Sequence, residues 1–418
     1  MATGSSTIYL SDIPNFNDLI NNDVSEINTL KLNKVVCKTT SNQKYKVIRY
    51  DKELLRSCFI SSYGLCRSVI VNSNNKVVGF SPPKSILSEN FITENPSKTE
   101  DIIAMEFVEG TMINVFWDES IGVAGGWQIA TRNTVGATSS FYKNASSITF
   151  RDMFLEAVKE NNLSIEGLNK DLSYSFVLQH PKNRIVVPFK KPQLYLVACY
   201  KITTNAADSS VMVEPYSIID IMNQDWATTT IRFPEIYEWT TYTELIEKYA
   251  SMNTPYHVLG VVLYNTRTGE RAKIRNPVYE QVRSLRGNQP KLQYQYLALR
   301  GEGKVHEFLK YYPENKKDFS QFRDQVHSFT NTLYANYVAC YIKKERPLIQ
   351  FSDQFRTHMF NLHKLFMNEL REKKQYITNT VVKKYVNELH PSLLMYCLNF
   401  HMRKRVVDYI EAEAESAV

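Results

Sequence analysis

At 418 residues the chain is too long for one ordinary hydrophobic core, and 43% hydrophobic with 22% charged residues excludes a disordered or fibrous protein. No apolar run reaches the roughly 18 residues that a membrane-crossing helix needs, and the start MATGSSTIYLSDI has no basic segment followed by an apolar one, so a cytoplasmic protein without membrane contact is expected. A net charge of +7 permits a polyanionic partner without requiring one. Six widely spaced cysteines without a CxxC pair predict reduced thiols, and eight scattered histidines show no metal-ligand spacing.

Residues 1–44 are polar and rich in Ser and Asn, and read as a loose N-terminal arm with one short helix between Phe16 and Leu30. From Tyr45 the pattern turns β-prone: Tyr45–Tyr50, then Ser68–Asn72 and Lys76–Phe80 joined by Ser73-Asn74-Asn75, whose side chains and tolerance of a left-handed backbone suit a hairpin turn. A polar connection over Glu89–Thr99 leads to further strands at 111–116, Trp127–Thr131, Tyr174–Leu178, Ile185–Phe189, Tyr195–Ile202, Tyr256–Tyr264 and Arg271–Ile274. One helix, Phe150–Asn161, interrupts them. Strands mixed with few helices predict an α+β domain with an antiparallel sheet over residues 45–300. Beyond it Phe319, Phe322, Val326, Phe329, Leu333 and Tyr337, and then Phe351, Phe355, Met359, Leu362, Phe366 and Leu370, recur at helical spacing. Short helices over Val381–Leu389 and, opened by Pro391, Ser392–Phe400 complete an all-helical domain at 301–410, followed by an acidic tail at 411–418. The basic run Arg403-Lys404-Arg405 reads as a solvated helix face or a nucleic-acid contact.

The stretch with most chemical content is Glu106-Phe107-Val108-Glu109-Gly110-Thr111-Met112-Ile113-Asn114-Val115-Phe116, an acidic-glycine turn running into a strand. Gly110 lets the backbone turn tightly and come close to a phosphate. Two later blocks accompany it: Leu178-Gln179-His180-Pro181-Lys182-Asn183-Arg184-Ile185-Val186-Val187-Pro188, and Lys273-Ile274-Arg275-Asn276-Pro277 with the segment Arg286 to Tyr296. In this order the three resemble the RNA-ligase branch of the covalent nucleotidyltransferases, the group of the phage tRNA-repair ligase and related ligases of large DNA viruses. The resemblance implies an antiparallel nucleotidyltransferase domain followed by a helical one, with RNA as partner and ATP and Mg²⁺ as cofactors. It places Arg67 and Lys84 on a triphosphate, Glu109 near the nucleotide sugar and Arg132 at a strand end facing the ligand. Lys273 and Arg275, on one face of a strand, fall at the last phosphate contact. Taken singly, Arg67, Lys84, Lys273 and Arg275 each read equally as a solvated surface charge; taken together in the motif context they read as ligand contacts. The Gln289 to Tyr296 block reads as a base-stacking surface or as packing, and His180 as a turn residue held by backbone.

The chain departs from that pattern where the chemistry is done. The family's nucleophile is a lysine three residues before the glycine, whose amine attacks the α-phosphate of ATP; here the position is Phe107, so no catalytic residue is assigned. The strand that presents a metal-binding carboxylate reads His257-Val258-Leu259-Gly260, with Leu259 at the acid's place, and Ser175–Gln179 also lacks an acid. A hard cation needs oxygen ligands, so ATP and Mg²⁺ are doubtful as cofactors. Lys98 and Lys84 are poor stand-ins for the lysine, and Phe107 also reads as a plain core aromatic. The expectation is a pseudoenzyme that binds RNA or nucleotide without forming lysyl-AMP; the alternative is an active ATP-dependent ligase joining RNA 5′-phosphate and 3′-hydroxyl ends in RNA repair.

Overall fold

A computed structural model describes residues 7–21, 32–39, 41–141, 148–205 and 210–402. Arg403-Lys404-Arg405 and the acidic tail lie outside them. The chain divides into two compact units, Met1–Arg283 and Ser284–Val418. The first carries 29 Lys and Arg against 29 Asp and Glu, the second 21 against 14, so the whole excess of +7 belongs to the second.

Unit 1 contains β1 (Ile8–Tyr9), α1 (Phe16–Asn21), β2 (Leu32–Lys38), β3 (Lys44–Tyr50), β4 (Val69–Val71), β5 (Val77–Phe80), α2 (Ser88–Glu94), β6 (Ile102–Glu106), β7 (Thr111–Asp118), β8 (Gly126–Thr131), α3 (Phe150–Glu160), β9 (Leu172–Gln179), β10 (Gln193–Thr204), β11 (Val211–Pro215), α4 (Ile218–Met222), β12 (Ile236–Tyr237), α5 (Tyr242–Tyr249), β13 (Gly260–Asn265) and β14 (Arg271–Arg275). It ends within α6 (Pro277–Arg286). The strands form three sheets in the orders β1-β11-β10-β9-β7-β8, β12-β6-β13-β14 and β2-β3-β4-β5, and all their pairings are antiparallel. The fold is α+β, as expected.

Alternation along the strands decides what each sheet face meets. In β9 and β10, Phe176, Leu178, Leu194 and Leu196 point to one side, where Met153, Phe154 and Ala157 of α3 cover them; Val177, Tyr195 and Val197 point to the other. α3 holds its place through a capping box between Thr149 and Asp152. In the four-stranded sheet, Ile102, Ala104, Val261, Leu263 and Ala272 pack against Phe91 of α2 and Leu245 of α5. The opposite face carries Met105, Val262, Tyr264 and Arg271, which line a cavity together with Val197 and Tyr200 of β10.

Four expectations need correction. The N-terminal segment is not a loose arm among its described residues: Leu10, Ile13, Phe16, Leu19 and Ile20 are buried with Ile48, Val69 and Phe80, β1 pairs with β11, and β2 pairs with β3 along its whole length. Its apolar residues, three or four apart among polar ones, give one buried stripe. The helix expected up to Leu30 is α1, with 22–31 outside the described residues. The polar connection at Glu89–Thr99 begins with helix α2, which buries Phe91. Finally, Ile185–Phe189 is not a strand, because its backbone donors go to a side chain identified below.

In unit 2, α7 (Leu292–Gly301), α8 (Val305–Tyr311), α9 (Lys316–Tyr337), α10 (Asp353–Leu365), α11 (Asn379–Glu388) and α12 (Pro391–Leu398) follow the expected periodicity. Tyr296 packs edge-on against Phe319 at 5.1 Å, and Gln295 donates to the Leu285 carbonyl, so the expected stacking block is partly core of this unit. Among the described residues all six cysteines are unpaired; Cys66, Cys199 and Cys397 are buried and Cys58 is exposed. No described helix is long and apolar enough to cross a membrane.

Candidate functional site

Strand β14 reads Arg271-Ala272-Lys273-Ile274-Arg275. Ala272 and Ile274 enter the apolar cluster under α2 and α5, so the three cations share the other face. The register of β13 against β14 sets Tyr264, Val262 and Gly260 beside Arg271, Lys273 and Arg275. β6 is the next strand, paired with β13 up to Glu106, and Phe107 is the first residue beyond it. Its ring comes to lie beneath the cations: the Lys273 ammonium is 4.4 Å from the ring centroid and the Arg275 guanidinium 5.6 Å.

A second group of cations comes from the β3-β4-β5 side. Arg67 leaves the 3₁₀ turn Tyr63–Leu65 immediately before β4. The Lys84 amide donates to the Gly64 carbonyl and the Ile86 amide to the Arg271 carbonyl, which ties the Lys84–Ile86 stretch to both the turn and β14. Arg132, at the end of β8, stacks on Tyr50 at 5.1 Å and keeps a buried Nε with no partner. The charges feel one another. Burial lowers the Lys273 amine to about 6, helped by Arg271, Arg67, Arg275 and Lys84. Burial likewise lowers Arg67 to about 10, with Arg271 and Arg132 adding to it. Lys84 is pushed down by burial and by Arg67, Arg275 and Arg132. Among the described residues the one carboxylate ion-paired with any of these six cations is Glu280, 2.6 Å from Arg275. A cluster held this way is complementary to a multiply charged anion.

Arg67, Lys84, Arg132, Lys273 and Arg275, expected from the sequence, are thus brought together. Arg271 was missed, although its alternation with Lys273 and Arg275 was visible; what could not be seen was that Tyr264 and Met105 lie beside it over a cavity. Glu109 behaves differently. Its carboxylate is 4% exposed and accepts hydrogen bonds from the Val186 and Val187 amides at 2.8 and 3.1 Å and from the Tyr279 hydroxyl. It pins the 185–189 segment, which explains why that apolar run forms no strand. Lys98 is tied elsewhere, donating to the Trp239 carbonyl at 2.7 Å. His180 accepts from the Lys182 amide and lies 3.3 Å from Glu156, a turn residue held by local groups.

The donor set does not fit a hard metal ion. Leu259 is a buried apolar residue, and the Ser175 hydroxyl donates to Asn114 inside the sheet. No group of three or more His, Cys, Asp or Glu among the described residues is placed to hold a metal.

Two glycines make the site's backbone possible. A Cβ on Gly110 would come within 2.5 Å of the Leu178 carbonyl oxygen, and one on Gly260, at φ +126°, within 2.0 Å of the Ile274 oxygen. Gly260→Ala should therefore part β13 from β14 at the Phe107 end and cost at least about 2–3 kcal/mol, read as a lowered melting temperature. A melt indistinguishable from wild type would refute this close approach.

No protein-family model matches the chain. It is 23% identical over 290 residues to the RNA ligase of Rhodothermus phage RM378, a match covering 62% of this chain and 64% of the phage protein. The chain is RNA-ligase-like. The RNA-ligase-like chain thus spans slightly under two thirds of that phage relative. It is also 24% identical over 340 residues to an immediate-early protein ICP-46 homolog of Invertebrate iridescent virus 6, covering 73% of this chain and 71% of the viral protein. Among solved structures it is similar to an archaeal ATP-dependent RNA ligase, at 10% identity and TM-score 0.38 over 71% of this chain and 76% of that one. A Naegleria gruberi RNA ligase bound to ATP and Mn gives 12% identity and TM-score 0.35 over 49% and 58%.

Proposed function

We propose that unit 1 is a ligase-derived grip for phosphates, holding a nucleotide or a phosphorylated RNA end without forming a lysyl-nucleotide. The observation that carries this reading is the convergence of Arg67, Lys84, Arg132, Arg271, Lys273 and Arg275 on a site where Phe107 stands in place of the nucleophile. The cations supply what a polyphosphate needs. A benzyl side chain supplies no amine, and the cavity beside Arg271, bordered by Met105, Val197 and Val262, sets an apolar wall next to the cations. RNA enters as partner through the relative that is an RNA ligase.

Incubation with α-³²P-labelled ATP and Mg²⁺, followed by a denaturing gel, should leave the protein unlabelled while equilibrium binding of the nucleotide is measurable. A covalently labelled band would overturn the non-covalent reading. Sealing of a pre-adenylylated RNA would favour an active ligase instead, because that later step needs no lysine adduct; no sealing is expected, since Leu259 and Ser175 offer no metal-binding carboxylate.

A further inference from the structure

The helical unit has a polar notch of its own. Arg300 on α7, His327, Thr330 and Asn331 on α9, and Lys383 and Asn387 on α11 line one recess. Thr330 and Asn331 follow His327 by three and four residues, and Asn387 follows Lys383 by four, so helical geometry turns each group to one face. The lining is made of hydrogen-bond donors and contains no carboxylate. Among the described residues neither Arg300, His327 nor Lys383 has an acidic partner, although other lysines and arginines of this unit do: Lys304 pairs with Glu302, Arg323 with Asp324 and Lys384 with Glu388. The Thr330 hydroxyl donates to the Val326 carbonyl and Arg300 also bonds the Tyr296 hydroxyl; the further donors of the Arg300 guanidinium, with the Lys383 ammonium, the His327 imidazole and the Asn331 and Asn387 amides, match the oxygens of a phosphate. Independently, the entire charge excess of the chain lies in this unit.

We infer that this notch seats a backbone phosphodiester of RNA, making the helical unit a second anchoring point separate from the phosphate grip. The inference rests on RNA being the partner under the proposed function, but not on the cation cluster around Phe107. Each phosphate neutralised by a cation releases counterions, so the contact has a measurable signature in salt dependence.

The test is fluorescence anisotropy of the full chain with a labelled single-stranded RNA bearing a 5′-hydroxyl, titrated across a range of KCl concentrations. Lys383→Gln, on an exposed helix face, and Arg300→Gln should each weaken binding about 3- to 10-fold and flatten the log Kd against log[KCl] slope by about 0.7–1. Lys317→Gln, an exposed lysine at the start of α9 outside the notch, should change the slope less than either. Unchanged slopes in both notch variants would overturn the inference. So would weakened ATP binding in both notch variants with RNA binding unchanged, since the recess would then serve a nucleotide. If wild type binds ATP but not 5′-hydroxyl RNA, the notch inference fails and the grip stands; if it binds the RNA but not ATP, the grip fails alone.

Discussion

Arg67→Met should weaken binding of ATP or tripolyphosphate roughly 10- to 100-fold, the scale expected when a desolvated site gives up one charge-assisted hydrogen bond. The same substitution should leave the melting temperature of the ligand-free protein equal to or above wild type. Arg67 is half-buried among like charges, is ion-paired with no carboxylate among the described residues, and depresses the amines of Lys273 and Lys84. Removing it deletes a repulsion that the empty site bears, while its methylenes are replaced by a side chain of similar bulk. A residue that only packed would show the opposite pattern, a lower melting temperature with unchanged affinity. Calorimetric titration with parallel thermal melts separates the two, and an unchanged dissociation constant would remove Arg67 from the grip.

The second large effect is on pH. In the unfolded chain the Lys273 amine keeps its proton to its ordinary value of 10.5; in the empty folded site it lets go near about 6. Between those values the unfolded state holds more protons than the folded one, so stability without ligand is lowest below pH 6 and climbs as pH rises through the window. A bound phosphate reverses the penalty on the ammonium. Binding in this window therefore takes up a proton, and the dissociation constant rises toward tenfold per pH unit above 6. At pH 8, above the terminal phosphate's own ionisation near ~6, titrations in buffers of different ionisation enthalpy should report uptake approaching one proton. Lys273→Met should abolish the uptake and leave a weaker affinity that is flat with pH. Zero uptake by the wild type would place the amine outside the ligand's field.

Much of this architecture could be read from residue order, and the failures have identifiable causes. The Val69–Phe80 hairpin follows from its turn chemistry and its run of apolar residues, and β14, α3 and the long helix α9 from periodicity that marks one buried face. β2 escaped notice because it buries few of its residues and exists through pairing with β3. Ile185–Phe189 misled in the other direction: its composition is that of a strand, but the Val186 and Val187 amides are claimed by Glu109, 77 and 78 positions away. Five cations of the site were visible as strand-end and turn residues. Arg271 was not, since its value lies in the company of Arg67 and Lys273, which only the folded sheet brings near it.

Glu109 and Phe107 sit two residues apart yet answer to different constraints. The acid, with Gly110 behind it, is fastened into the backbone of the domain, so an exchange at either would be felt by folding itself; the Phe107 ring meets the side chains of Lys273 and Arg275 instead. Under the proposed function, a ligase-derived chain without the reaction sheds the amine and retains the acid–glycine pair as a fossil of the signature. Genome surveys keyed to the lysine would pass over such descendants, whereas a search for the orphaned pair ahead of a β-branched strand would gather them.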